Sequence, residues 1–456
     1  MTDSSLVLKD KSLVIILAYA PTGLGHLRVT DALYEGLPGG VTPLLLGAQD
    51  RRLTVIHRLG SIHPWARRFT EWLQNGWAED WLYKRIYVRF LKNHTENIYK
   101  QMVTILEQRI DLPKIVLVVS THFGLTHQLS EIKEVLAQNL HIRIILVVVV
   151  TDDSPQHIWY TEGADLTFVP SEQTRYELLK YGRLSHLREI GIEVVSFPIS
   201  PLLGKELIEE EWITKHTQVD PKSDSVIHVS MPVSGAAVGL DFYANLVTFL
   251  NQYSPRFSFH TVAKVAPFTQ SFLTKMMTRK YVNLYTSTHD RELVDLYVEL
   301  YQKKVISLEI TKPSEQAFKA LLTPKKRGGS LLLFSWPVGR QEYDNLHFLR
   351  RHNLLPREGV TRQLHERAIK DNILSDDQEG RQILSAAENW RGIELPHDPR
   401  LAARFIWWLH KEKVFMKMLR CQVYLRGDDQ HAHELSPDGV KKIWQRISVY
   451  LDNLPP

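Results

Sequence analysis

Six short stretches place glycines, hydroxyls, imidazoles or carboxylates at or near the ends of apolar runs. The first is Thr22-Gly23-Leu24-Gly25-His26, close behind the run that begins at Val14. Gly23 and Gly25 allow backbone to approach a ligand closely, and a helix start offers free N–H groups to an anion. His26 falls at that helix start, where the dipole favours a neutral imidazole able to take a proton. Thr121-His122 follows the run KIVLVVS, and Thr151-Asp152-Asp153-Ser154 follows VVVV, with His157 and Trp159 close behind. Asp152 in such a place is either a helix cap or a general base. In the second half Ser234-Gly235 forms a glycine turn, and Thr311-Lys312-Pro313-Ser314 ends another apolar run. Gln341, Glu342 and Asn345 follow LLLFSW, with Gln341 and Asn345 on one helical face, suited to sugar hydroxyls. Taken singly, each stretch also reads as a turn, a cap or an exposed helix start.

Loops of this kind need strands and helices behind them. Ser12–Ala20, Lys114–Ser120 and Ile142–Thr151 are continuous β-branched or aliphatic runs separated by helical patterns, as in a parallel sheet covered on both faces. The pattern repeats at Val226–Met231, Ser258–Val265, Val282–Tyr285, Val305–Glu309 and Leu331–Ser335, and from about Gln378 onward the sequence reads as mostly helical. The polar, charged stretch near 200–222 reads as a domain boundary. The expected fold is α/β, with two Rossmann-like domains facing across a cleft and C-terminal helices. The expected division is 1–200, 222–405, and a helical tail 406–456 that packs back on the first domain.

Composition narrows the function. A chain of 456 residues is too long for one ordinary core. Its one cysteine, Cys421, excludes a disulfide framework and a multi-cysteine zinc site, and no metal cluster or cofactor motif is legible. The N-terminus lacks a signal-peptide pattern, and the apolar run Ile144–Val150 is too short to span a bilayer, so a cytoplasmic location is expected. The net charge of +5 is unevenly spread. Between Arg51 and Lys100, ten Lys/Arg against four Asp/Glu give +6, and Trp65, Trp72, Trp77 and Trp81 lie among them. Cations beside indoles suit the headgroup level of an anionic membrane, so the segment 51–105 is read as a peripheral contact with the inner membrane face. A solvated helical hairpin with inward aromatics has the same composition. No nucleic-acid motif accompanies the charge, so no nucleic-acid partner is expected.

Together these residues resemble the GT-B glycosyltransferases, in particular the monogalactosyldiacylglycerol synthases and the GlcNAc transferase of peptidoglycan lipid-intermediate synthesis. The likeness runs over about residues 12–350. It is carried by Gly23–His26, by Thr151-Asp152 with His157 and Trp159, and by Asp165 with Val169-Pro170-Ser171. Gly191–Ile199, Ile310-Thr311-Lys312-Pro313 and Gln341-Glu342 with Asn345 complete it. The resemblance implies an inverting transfer of a hexose or N-acetylhexosamine from a UDP-sugar to a lipid-linked acceptor, without a bound metal. It places His26 and Asp152 as candidate bases, and Gly23, Gly25, His122 and His157 on the acceptor side. It places Ser234, Gly235, Thr311, Lys312, Ser314, Gln341, Glu342 and Asn345 on the donor side. Where the family continues its Lys-Pro loop with glycines and a ribose-gripping glutamate, this chain has Ser314–Ala320, with Ala320 at the glutamate position. Two other readings share the fold: a non-catalytic binding protein and a nucleotide-sugar epimerase.

Overall fold

Runs such as IVLVVS and RIILVVV bury side chains on both faces of a strand, which only a sheet covered on both sides accommodates. Two parallel six-stranded sheets result. The computed structural model describes residues 6–19, 24–47, 89, 91, 95–109, 112–235, 237–334, 339–423 and 432–455. The chain divides into two units. One comprises Met1–Pro201, Gly339–Gln341 and His433–Pro456; the other comprises Leu202–Val338 and Glu342–Ala432.

The first unit runs β1 (Leu13–Tyr19), α1 (Leu24–Glu35), β2 (Leu44–Gly47), α2 (Glu96–Glu107), β3 (Ile115–Ser120), α3 (Phe123–Leu140), β4 (Arg143–Val149), β5 (Leu166–Val169), α4 (Glu172–Leu184) and β6 (Ile192–Val194). The strand order is β2-β1-β3-β4-β5-β6. The chain steps outward from β1 to β2 and then returns to β3 on the other side of β1. The crevice beyond the carboxyl ends of β1 and β3 is therefore a topological switch point, where open α/β sheets bind ligands. Ala18 pairs with Ser120, so the two strands end level.

The second unit runs α5 (Glu209–Val219), β7 (Ile227–Pro232), α6 (Leu240–Tyr253), β8 (Phe257–Lys264), α7 (Gln270–Met277), β9 (Val282–Ser287), α8 (Asp290–Lys303), β10 (Leu308–Thr311), β11 (Ser330–Phe334), α9 (Arg340–Arg351), α10 (Glu358–Lys370), α11 (Gln378–Ala386), β12 (Gly392–Leu395), α12 (Pro399–Lys411) and α13 (Val414–Met418). Its order, β12-β11-β10-β7-β8-β9, is the Rossmann order read from the opposite edge, with the switch point between β7 and β10. Strand β12 interrupts the mostly helical stretch after Gln378. Four residues, GIEL, are too few to show a period between two amphipathic helices. Residues 406–419 remain with the second unit, because Ile406, Leu409, Val414, Phe415 and Met418 lie in its core. The last helix, α14 (Gly439–Asp452), belongs to the first unit, where Trp444 Nε1 donates to Leu33 O at 2.9 Å.

The two faces of the second sheet differ. Ile227, Val229 and Met231 of β7 alternate onto the apolar core with Tyr243, Leu246 and Val247 of α6. The residues between them are polar, and His228 Nδ1 lies 3.0 Å from Nε2 of the buried His260 on β8. Tyr285 OH lies 3.4 Å from the other nitrogen of His260. Burial first, then His228 and Lys304, lower the His260 pKa to about 3; burial and Lys304 also lower that of His228. An unfolded histidine titrates near 6.5, so the unfolded chain binds protons that the fold refuses as pH falls below that value. Stability is therefore expected to be full above about pH 6.5 and to be lost progressively toward pH 3. Urea midpoints measured from pH 7.5 to pH 4.5 should fall, and His260→Asn should flatten that slope. An unchanged slope in the variant would remove His260 as its source.

Candidate functional site

The β1/β3 switch point gathers the first group of side chains. His26 sits in the first turn of α1, half-buried, with Gly25 beside it. Its Nδ1 donates to Thr121 O at 2.7 Å and lies 3.2 Å from Thr151 Oγ1. Thr121 follows β3 and Thr151 follows β4, so three neighbouring strands hold one imidazole. His122 meets His26 edge-on at 4.9 Å between ring centroids, and Trp159 lies 6.3 Å away. Trp159 in turn packs edge-on against Phe123 at 5.7 Å. His122 is also the N-cap of α3, its Nδ1 accepting from Leu125 N at 3.4 Å. A Cβ on Gly124 would lie 2.9 Å from the His122 ring, so glycine there leaves the ring its space.

The two adjacent aspartates after β4 part company. Asp153 is buried, and its Oδ1 accepts from the hydroxyls of Ser171 and Thr174. Ser171 is the N-cap of α4, so this carboxylate sits at a helix start, where its charge is favoured. Asp152 is half-buried at the strand end. His157, expected beside the acceptor, stacks on Tyr181 with centroids 3.8 Å apart. Gly23 and the tryptophans Trp65, Trp72, Trp77 and Trp81 lie outside the described residues.

The β7/β10 switch point gathers the second group. Ser234 and Gly235 lie in the turn between β7 and α6, which passes through positive φ at Ala237 (53°) and at the N-cap Gly239 (83°). A Cβ on Gly239 would also come within 2.7 Å of the Phe334 ring, so glycine is required there twice over. Ser234 Oγ is buried without a partner among the described residues. Thr311 ends β10, buried, and Ser314 precedes the 3-10 segment Glu315–Leu321 without a side-chain cap. Lys312 is buried against Glu342 at 2.5 Å, and Asn345 Nδ2 donates to Pro313 O at 3.1 Å. These three residues therefore tie the start of α9 to the loop after β10. Gln341, one residue earlier, is half-buried and falls with the first unit rather than the second. Ala320 is fully buried among core side chains, so the ribose-gripping glutamate has no substitute at that position.

Three features escaped the sequence reading. Thr30 joins the first group from one helical turn beyond His26, a spacing that could have pointed to it. The interior of the second unit holds Glu309, Lys319, Tyr297 and Tyr301 in one buried network, for which the signal was an acid inside the run VISLEIT. Lys215 is the third; buried on α5, it donates to the carbonyls of Pro324 (2.8 Å), Lys326 (3.2 Å) and Gly328 (2.5 Å). Arg391 holds the two ends of the same turn, Leu322 O at 2.8 Å and Gly329 O at 3.2 Å. Burial, then the Arg391 charge, push the Lys215 pKa well down.

No protein-family model and no curated protein matches the chain. Solved structures similar in outline include S. aureus MnaA with UDP, at 10% identity and TM-score 0.49, covering 97% of each chain. A UDP-GlcNAc 2-epimerase from Neisseria meningitidis bound to UDP-GlcNAc is 12% identical at TM-score 0.46, covering 96% of this chain and 100% of that one. Acinetobacter baumannii MurG is 8% identical at TM-score 0.43, covering 96% of this chain and 99% of that one.

Proposed function

We propose that the chain is an inverting glycosyltransferase that moves a hexose or N-acetylhexosamine from a UDP-sugar to a lipid-linked acceptor. The observation that carries the reading is the His26 imidazole, fixed from three strand ends at the switch point of the first sheet. In the reaction His26 takes the proton of the acceptor hydroxyl as its oxygen bonds to C1 of the sugar. The bond from C1 to the diphosphate breaks, and the pair of electrons leaves with the nucleotide. The diphosphate is received by N–H groups at the start of α6, beside Ser234 and Gly235. The Ser234 hydroxyl, buried and without a partner among the described residues, supports a ligand at that turn. Lys312 contributes little net charge to the leaving group, because Glu342 neutralises it.

The lipid acceptor rests on the +6 segment with its four tryptophans, most of which lies outside the described residues. Liposome flotation is expected to need anionic lipid and to be lost on replacing Trp72, Trp77 and Trp81 with alanine. Wild-type protein that stays at the bottom of the gradient removes the membrane from the proposal. Among the described residues no helix is long and apolar enough to cross a bilayer.

The second reading, a binding protein without turnover, is favoured by the Lys312–Glu342 closure and by Ala320. Ligand-induced thermal shifts with UDP-, GDP- and dTDP-sugars separate the readings. UDP at about 100 times its Kd is expected to stabilise the fold by about 2.7 kcal/mol. No shift with any nucleotide would end the donor assignment. A shift without transfer, with the sugar epimerised or left intact, would replace the transferase by the epimerase or the binding protein.

A further inference from the structure

We infer that Thr121 is a positioning residue that fixes the proton of His26 on Nδ1 and so leaves Nε2 as the basic atom; the catalytic part of this inference rests on the reading of His26 as the base. A carbonyl oxygen can only accept a hydrogen bond. Nδ1 lies 2.7 Å from Thr121 O, so the neutral ring must carry its proton there. Thr151 Oγ1, 3.2 Å from the same nitrogen, is then a second acceptor for the same proton.

Every polar group of Thr121 serves this placement. Its peptide N–H donates to Ala18 O of β1 at 3.1 Å. Its carbonyl holds the imidazole. Its hydroxyl lies 2.7 Å from Thr30 Oγ1 and 3.2 Å from His26 O. Thr30 Oγ1 donates to that same His26 carbonyl at 2.9 Å, one helical turn back along α1. Thr121 and Thr30 are buried, so these bonds do not compete with bulk water. The register of α1 against β3 and the orientation of the ring are thus set by one hydroxyl pair. A valine at either position keeps the β-branched shape and removes the pair together with that hydroxyl's bond to His26 O.

The test uses the full chain labelled with ¹⁵N-histidine. At neutral pH the His26 resonance, assigned by its loss in His26→Gln, is expected to show a protonated-type shift at Nδ1 and a pyridine-type shift at Nε2. A proton on Nε2 overturns the inference whether or not the protein turns over. Thr121→Val is expected to lower kcat by about tenfold to a hundredfold with KM little changed, and to displace the acid limb of the pH profile. Thr121→Ser should restore both. Thr30→Val should resemble Thr121→Val, and the double variant should cost no more than either single change. Wild-type kcat and an unmoved acid limb in both valine variants would overturn the positioning role. Turnover that survives in His26→Gln would instead defeat the reading of His26 as the base, while the tautomer remains decided by the resonance.

Discussion

Replacing His26 with asparagine is expected to lower kcat for sugar transfer by about 10²–10⁴-fold while leaving the fold in place. Asparagine retains a donor that can reach Thr121 O, but it has no basic nitrogen at the far side of the ring. Alanine is the harsher change. It leaves the Thr121 carbonyl without its 2.7 Å partner, at a cost of about 1–3 kcal/mol, so a loss of rate there mixes chemistry with stability. Equal losses in the two variants, with melting temperature preserved in the asparagine form, would place the effect in the chemistry. Asp152→Asn is the control for the other candidate base. Asp152 is half-buried in the bend after β4, next in sequence to Thr151. If Asp152→Asn abolishes transfer and His26→Asn does not, the proton goes to the carboxylate and His26 keeps only a binding role.

The α/β class was legible because β1, β3 and β4 are unbroken apolar runs that no amphipathic helix would tolerate. The strand order was not, since register and switch points arise from pairing between distant segments. Once the order is known, it explains why His26 and Thr121 meet across 95 residues and why Ser234 and Thr311 flank the second crevice. The individual loops were ambiguous for a physical reason. A residue that caps a helix and one that binds a ligand at that helix need the same donors and acceptors. His122 illustrates this, being at once a cap for α3 and a neighbour of His26. Asp152 and Asp153 illustrate it again. Two adjacent acids look alike in sequence, and only the bend after β4 decides that Asp153 turns inward to Ser171 and Thr174. Lys312, Glu342 and Asn345, candidate ligand contacts by their spacing, bond one another's loops in the structure. Polar residues that converge on a strand end can satisfy each other before any ligand arrives.

Lys319→Met is expected to destabilise the second unit by about 3–5 kcal/mol. Lys319 is buried, and its ammonium donates to Glu309 Oε2, to Tyr297 OH at 2.6 Å and to Tyr301 OH at 3.0 Å. Burial alone would lower its pKa, but the Glu309 carboxylate and the Tyr297 phenol beside it outweigh burial and hold it raised, so the group stays protonated. Burial and the neighbouring Glu309 push the Tyr301 phenol well up, so Tyr301 remains a donor, and its OH reaches Glu309 Oε2 at 2.6 Å. Methionine fills a similar volume, so the expected loss is electrostatic: it strands a carboxylate inside the sheet. Tyr301 OH and Gly329 N–H, the latter 2.7 Å from Glu309 Oε1, would still support that carboxylate, which favours the lower end of the range. The double variant Glu309→Gln with Lys319→Met is then expected to be more stable than Lys319→Met alone, because it removes the stranded charge. Urea unfolding of the three forms reads this directly. A Lys319→Met midpoint close to wild type would mean that the carboxylate takes up a proton at little cost. A double variant no better than the single one would mean that packing around the ammonium stem, rather than its charge, holds this layer together.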